Sequence, residues 1–275
     1  MPQSSKKLRI GILGCGAIGS RIAKSIFKEL KGLCQLSGVH DCDSKKAMKL
    51  ANSLSHPQIV KNSFNDLLKN CDLMVEAINA PNARRFVKQA LEARKSVLAM
   101  STGKLLNSQN LFSLAAKNRC FLLIPSGAIA GIDAIKAAGL LDIQRITLTT
   151  RKPLSGFSNT PFLKEHGIDL TNITEEKVIF EGDVDTAVKL FPQNINVAAT
   201  LALASRAKSK IVIRMMTSPS YKVNSHEVEL VGDFGRMVSR TENVVCPDNP
   251  KTSYLAVLSA IQTLRDFCLG VRIGT

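Results

Sequence analysis

Three glycines stand close together near the start of the chain, in the run RIGILGCGAIGSRIAKSIFKEL at residues 9–30. Gly14, Gly16 and Gly19 follow the pattern G-x-G-x-x-G directly after an apolar stretch. In such a turn the first glycine lets the chain reverse sharply, the second lets backbone approach a phosphate, and the third lets a helix pack tightly on a strand. The N–H groups that open the helix, at Ala17 and Ile18, then face a pyrophosphate with the positive end of the helix dipole behind them. The context fits, since a strand precedes, a helix follows, and the next strand ends on an acid. That acid, Asp41, lies 22 residues beyond Gly19, close to the offset at which a carboxylate accepts bonds from adenosine ribose hydroxyls. A carboxylate there repels a 2′-phosphate, so NAD is the expected cofactor; Lys45 and Lys46 nearby leave NADP open.

A dinucleotide that carries hydride needs a partner that moves a proton. The chain has four histidines, His40, His56, His166 and His226. His226 opens the strand-like stretch HEVELVGDFG and precedes Glu227. An imidazole with an ordinary pKa of about 6.5 suits acid–base work near neutrality, yet a lone histidine at a strand start is more often a hydrogen-bonded structural residue than a catalyst. Two further stretches could face a ligand. In LFPQNINVAATLALA, Asn194 reads as a helix N-cap, while Asn196 sits one or two residues inside, where its amide can reach outward. PSGAIAGIDAIKAA at 125–138 is a glycine-punctuated turn at the end of a strand, where ligands of parallel sheets bind.

The elements that position these residues divide into two kinds. Up to about residue 125, apolar strand-like runs (LRIGILG, CQLSGVHD, CDLMVEAI, SVLAMS, CFLLIPS) alternate with helical spacing such as Ile18, Ile22, Ile26 and Leu30. Ser63 reads as an N-cap with Asp66 three residues on. This alternation predicts a Rossmann-type α/β fold, a doubly wound parallel sheet covered on both faces. From residue 143 the runs IQRITLTTRK, EEKVIFEGD, SKIVIRMM and SHEVELVGDFGRMVSRTENV alternate polar with apolar, and PLSGFSNTPFLKEHG reads as a loop. A second α+β domain with an open, mixed or antiparallel sheet follows from that pattern, with helices at 183–190 and 194–206. The expected division is a dinucleotide-binding domain at 1–125 and a catalytic, substrate and dimerisation domain at 126–248. A last helix at 249–268, capped by Asp248 or Asn249 with Pro250 in its first turn, is expected to pack back on the first domain.

Seven blocks in order, GCGAIG, VEAINAPNA, IPSGAIAGIDAIKAA, TTRKP, FPQNINVAATLALA, NSHEVELVGDFGRM and DNPKTSYLAVLSAI, resemble the L-aspartate dehydrogenase family over nearly the whole chain. The resemblance implies a Rossmann domain joined to an α/β catalytic domain with an open sheet. It implies reversible NAD(P)-dependent oxidation of L-aspartate to iminoaspartate, which hydrolyses to oxaloacetate and ammonia, and a role in pyridine nucleotide biosynthesis. It also implies that the catalytic histidine is His226, and that Ala128 and Asn196 contact the cofactor. Arg151, Lys152, Lys251 and Thr252 are then candidates for holding the substrate carboxylates. The chain departs from the family where SRAKSK follows LALA, a place where a glycine-containing turn is common, and where Ser218-Pro219 stands for Asp-Pro.

Composition bounds the alternatives. The net charge is +15 from 37 Lys and Arg against 22 Asp and Glu, but no basic run exceeds two residues and there is no Trp. That pattern reads first as a basic but ordinary surface, second as one that steers an acidic small molecule, and nucleic acid comes a distant third. The seven cysteines are odd in number and contain no C-x-x-C pair, so neither a zinc site nor a disulfide framework is expected. No apolar run is long enough for a bilayer and no secretory leader is legible, so a cytoplasmic protein is expected, a homodimer through its open sheet. Two rivals remain open: another two-domain reductase of the dihydrodipicolinate reductase or homoserine dehydrogenase type, and a non-catalytic NAD-binding sensor.

Overall fold

The structure, a computed structural model, describes residues 7–158, 160–191, 195–247 and 249–274, with backbone alone at 195 and 249–251. The chain separates into two compact units. One ends at Pro125 and takes in Val257–Arg272; the other spans Ser126–Ala256.

The first unit runs β1 (Leu8–Leu13), α1 (Ala17–Lys28), β2 (Cys34–His40), α2 (Ser44–Ser53), α3 (Phe64–Asn70), β3 (Leu73–Glu76), α4 (Ala83–Glu92), β4 (Ser96–Ala99), α5 (Gln109–Lys117) and β5 (Leu122–Leu123). All strand pairings are parallel, in the order β2-β1-β3-β4-β5. β3 is buried at all four residues, as a strand covered on both faces must be. Ile22 and Ile26 of α1 are fully buried, so the helical stripe is the face that meets the sheet. Helix starts are held by side chains: Asp43 accepts from Lys45 N, and Ser63 from Asp66 N at 3.1 Å. Because β2 and β3 flank β1, the chain direction of assembly reverses there, and the crevice beyond the carboxyl ends of β1 and β3 is the ligand position of such sheets.

The second unit continues with α6 (Ile132–Ala138), β6 (Ile143–Pro153), α7 (Pro161–Glu165), β7 (Lys177–Gly182), α8 (Val184–Leu190), α9 (Ile195–Ser205), β8 (Ile211–Ser218), β9 (Asn224–Gly232), β10 (Gly235–Asn243), β11 (Val245–Cys246) and β12 (Asn249–Ser253). Its five-stranded sheet has the order β10-β9-β6-β8-β7, antiparallel except for β6–β8, which is parallel. The strand alternation predicted from the sequence sorts the faces. Ile146, Leu148, Ile213, Met215, Val228 and Leu230 are buried, while Arg151, Arg214, Glu227 and Glu229 lie at the alternate positions of the same strands.

Two expectations are corrected. Residues 153–167 are not all loop. Phe157 and Phe162 are buried in an aromatic group in which Phe191 lies 5.1 Å from Phe162 and 5.2 Å from Phe180, and that burial winds Pro161–Glu165 into α7. The final helix does not begin at 249. Asn249–Ser253 is extended and pairs with β11, Tyr254 N donates to Val244 O at 3.0 Å, and α10 covers Tyr254–Leu269. Pairing with β11, Cys246 opposite Asn249 and Val245 opposite Ser253, holds these residues extended and moves the helix start to Tyr254. The proposed cap Asp248 lies outside the described residues. Phe267 of α10 packs edge-on against Phe121 at 5.2 Å.

Candidate active site

The glycine turn shows three different environments. Gly14 has φ +98°, and a Cβ there would lie 2.6 Å from Ala77 O, so only glycine can make the bend between β1 and α1. A Cβ on Gly19 would lie 1.9 Å from Gly14 O, so the helix is seated directly on the turn. Gly16 is exposed and a Cβ there would meet nothing within 4 Å, which leaves open space against bare backbone. Ser20 N bonds to Gly16 O at 2.8 Å, so the N–H groups of Ala17, Ile18 and Gly19 are those without an acceptor inside the helix. A diphosphate fits this cradle by room, by donors and by dipole.

Asp41 follows β2 directly. Its Oδ2 accepts from Cys15 N at 2.7 Å and its Oδ1 from Asp43 N at 2.9 Å. Burial opposes the charge, but these N–H groups, the Cys42 thiol and Lys46 outweigh it and hold the carboxyl below its usual range. Asp41 therefore ties the glycine turn to the end of β2; Oδ1 also accepts from the Cys42 thiol, and Oδ2, with Cys15 N as its one donor here, keeps a lone pair for a ribose hydroxyl. Cys15, inside the turn, is pushed up to about 12 by burial and by Asp41, so its thiol stays protonated. A group the sequence reading missed is Glu76, fully buried at the end of β3. It accepts from Ile78 N (3.0 Å), Ser101 N (3.1 Å) and Ser101 Oγ (2.8 Å), clamping the loops that leave β3 and β4, while burial pushes its carboxyl up against those bonds.

In the second unit His226 sits on β9, the strand between β10 and β6, opposite Thr150 on one side and Thr241 on the other. It is 8% exposed. Nδ1 is 3.0 Å from Thr150 Oγ1. Burial, then the charge of Lys152, pushes the imidazole down to about 4. It is therefore neutral at neutral pH and can accept a proton, which corrects the expectation of a group titrating near 6.5. Lys152, two residues along β6 from Thr150, shares its face, lies 5.9 Å over the Phe157 ring and is pushed down to about 8 by burial. Arg151 alternates to the other face, where it pairs with Glu227 at 3.3 Å. The sheet thus separates two neighbouring carboxylate candidates, and only Lys152 accompanies His226. Thr252 is half-buried, and the Lys251 side chain lies outside the described residues.

Ala128 is buried in the loop between Gly127 (φ +70°) and Gly131 (φ +79°). Its carbonyl accepts from Thr241 Oγ1 at 2.7 Å and Asn243 Nδ2 at 3.1 Å, so it is joined to the register partner of His226. Asn196 is exposed in the first turn of α9, and Asn194 lies outside the described residues. Thr150 lies in the TTRKP block without being singled out there, and Thr241 and Asn243 carry no signal in the sequence beyond strand alternation. Among the described residues no group of three or more His, Cys, Asp or Glu is placed to hold a metal ion.

A glycine cradle on a parallel sheet, with a separate mixed-sheet unit that buries a neutral histidine beside a lysine, defines a two-unit pyridine-nucleotide-dependent oxidoreductase. Comparison with known proteins gives the family. A model described as the C-terminal part of aspartate dehydrogenase matches residues 133–267, and one described as the NAD-binding domain of homoserine dehydrogenase matches 14–125. An L-aspartate dehydrogenase of Methanosarcina mazei is 42% identical over 276 residues, covering 98% of this chain and 100% of the relative. One from Methanosarcina barkeri is 41% identical over 271 residues, with the same coverage. The crystal structure of aspartate dehydrogenase from Thermotoga maritima shares the fold, with TM-score 0.72, 23% identity, and coverage of 98% of this chain and 100% of that one. The chain belongs to the L-aspartate dehydrogenase family.

Proposed function

We propose that this protein oxidises L-aspartate reversibly with NAD(P), yielding iminoaspartate that hydrolyses to oxaloacetate and ammonia. Near-full-length identity to L-aspartate dehydrogenases carries the reaction, and the buried neutral imidazole supports the roles that follow. Gly14, Gly16, Gly19, Ala17 and Ile18 hold the diphosphate, Asp41 takes the adenosine ribose and favours NAD over NADP, and Ala128 and Asn196 contact the cofactor. When bound, the nicotinamide ring accepts hydride from the substrate Cα. His226 takes a proton from the substrate ammonium, or from the water that attacks the imine. Thr150 holds the ring at Nδ1, which leaves Nε2 as the working nitrogen. Lys152 offers a cation to a substrate carboxylate on the same face, and a bound carboxylate keeps that lysine charged.

The chain acts in the cytoplasm, where its product feeds pyridine nucleotide synthesis, and it pairs as a homodimer through the sheet face opposite His226. That face ends in Val178 and Val238, which are 44% and 52% exposed, and carries the Arg236–Glu229 and Arg214–Glu181 ion pairs. No helix among the described residues is long and apolar enough to cross a membrane.

The test is NADH absorbance in a panel of aspartate, oxaloacetate with ammonia, and homoserine. Aspartate-dependent reduction of NAD is expected, with homoserine silent. His226→Ala should lower turnover roughly a hundredfold or more while NADH affinity holds; full turnover in that variant removes His226 from the role.

A further inference from the structure

The polar side chains of β10 form a closed set around the Ala128 loop. Asn243 is 3% exposed and every polar atom of its carboxamide is used. Nδ2 donates to Ala128 O (3.1 Å) and to Thr241 Oγ1 (3.1 Å), and Oδ1 accepts from Ser253 Oγ (2.8 Å). Thr241 Oγ1, having accepted from Asn243, donates to Ala128 O at 2.7 Å, so both lone pairs of that carbonyl are filled. Two positions back along the strand, Ser239 Oγ donates to Ala130 O at 3.0 Å. The left-handed glycines 127 and 131 bracket the same loop. Each bond fixes the direction of the next: Ser253 as donor sets the amide orientation, the amide sets the Thr241 hydroxyl, and both set the carbonyl. Thr241 is also the register partner of His226, so the loop and the imidazole are referred to one strand.

We propose that Asn243 is a positioning residue: its carboxamide locks the Ala128 carbonyl against β10 beside His226 and so sets where the 127–131 loop meets the redox end of the coenzyme. This rests on the dehydrogenase reading above. A buried amide that only filled space would not need three correctly directed partners, whereas a loop held to a fraction of an ångström does, because small misplacements at a reacting centre are costly.

Asn243→Asp is the sharpest variant. It keeps the shape, replaces both donors with acceptors, and turns a carboxylate toward the Ala128 carbonyl. Should it unfold, Thr241→Val removes one member of the set and Thr241→Ser restores it. The readouts are kcat with saturating NAD, and the affinities for NADH and for ADP-ribose, which lacks the nicotinamide. The expected result is kcat lower by roughly tenfold to a hundredfold, NADH weakened, ADP-ribose unchanged, and Thr241→Ser close to wild type. Folded Asn243→Asp and Thr241→Val proteins with wild-type kcat and NADH affinity overturn the inference, as does parallel loss of ADP-ribose affinity. Wild-type protein that ignores aspartate counts against the substrate reading alone, since the NADH and ADP-ribose comparison still reads the positioning.

Discussion

The two candidate regions are built in opposite ways. The glycine turn works with backbone: bare N–H groups, a bend only glycine can make, and a stretch of six residues from Gly14 to Gly19. The His226 region works with side chains, Thr150 and Lys152 on β6, His226 on β9, and Thr241 and Asn243 on β10, which the sheet brings together, while Ser253 on β12 and the Ala128 carbonyl join through Asn243. A backbone site is a local motif. A side-chain site on a mixed sheet is a long-range pattern, and its electrostatics follow from burial that no short window reveals.

That contrast is sharpened first within the turn itself. Gly19→Ala places a Cβ 1.9 Å from Gly14 O, so it should cost about 3 kcal/mol or more in thermal or denaturant unfolding. Gly16→Ala meets nothing within 4 Å, so its melting temperature should match wild type while NAD affinity falls roughly tenfold, about 1.4 kcal/mol. Equal stability losses in both would show that the turn is structural only. Next, the side-chain region should respond to acid. His226 moves from 6.5 to about 4 on folding, so between those values the unfolded chain binds more protons. Stability is therefore full above about pH 6.5 and falls by about 3 kcal/mol as pH drops through the folded value. Denaturant titrations of His226→Asn should show a flatter pH dependence; an unchanged slope would mean that burial there imposes no charge cost. The smallest effect concerns SRAKSK, where Arg206 takes φ +56°. Arg206→Gly relieves left-handed strain but gains backbone entropy in the unfolded chain, so a net stabilisation below about 1 kcal/mol is expected in melting experiments.

Legibility follows the same division. β1, α1, β2 and the acid at 41 were readable because apolar period, glycine spacing and strand ends lie within one short window. α7 reads as loop in the sequence because the pull that winds it, burial of Phe157 and Phe162 beside Phe180 and Phe191, comes from residues distant in sequence. Residues 249–253 read as helix in the sequence because the pairing that extends them belongs to β11. Arg151 and Lys152 were equal candidates in sequence, and only the strand's alternation, referred to the face that His226 occupies, parts them.

By itself the sequence determined the two kinds of unit, the pyrophosphate turn, the acid that closes it and the histidine worth testing, because each depends on residue types at short fixed spacing. The tertiary structure alone decided that this imidazole is neutral, that Lys152 and not its neighbour stands with it, and that Asn243 holds the Ala128 loop. Those outcomes arise from register and desolvation, which exist only once strands far apart in the chain lie side by side.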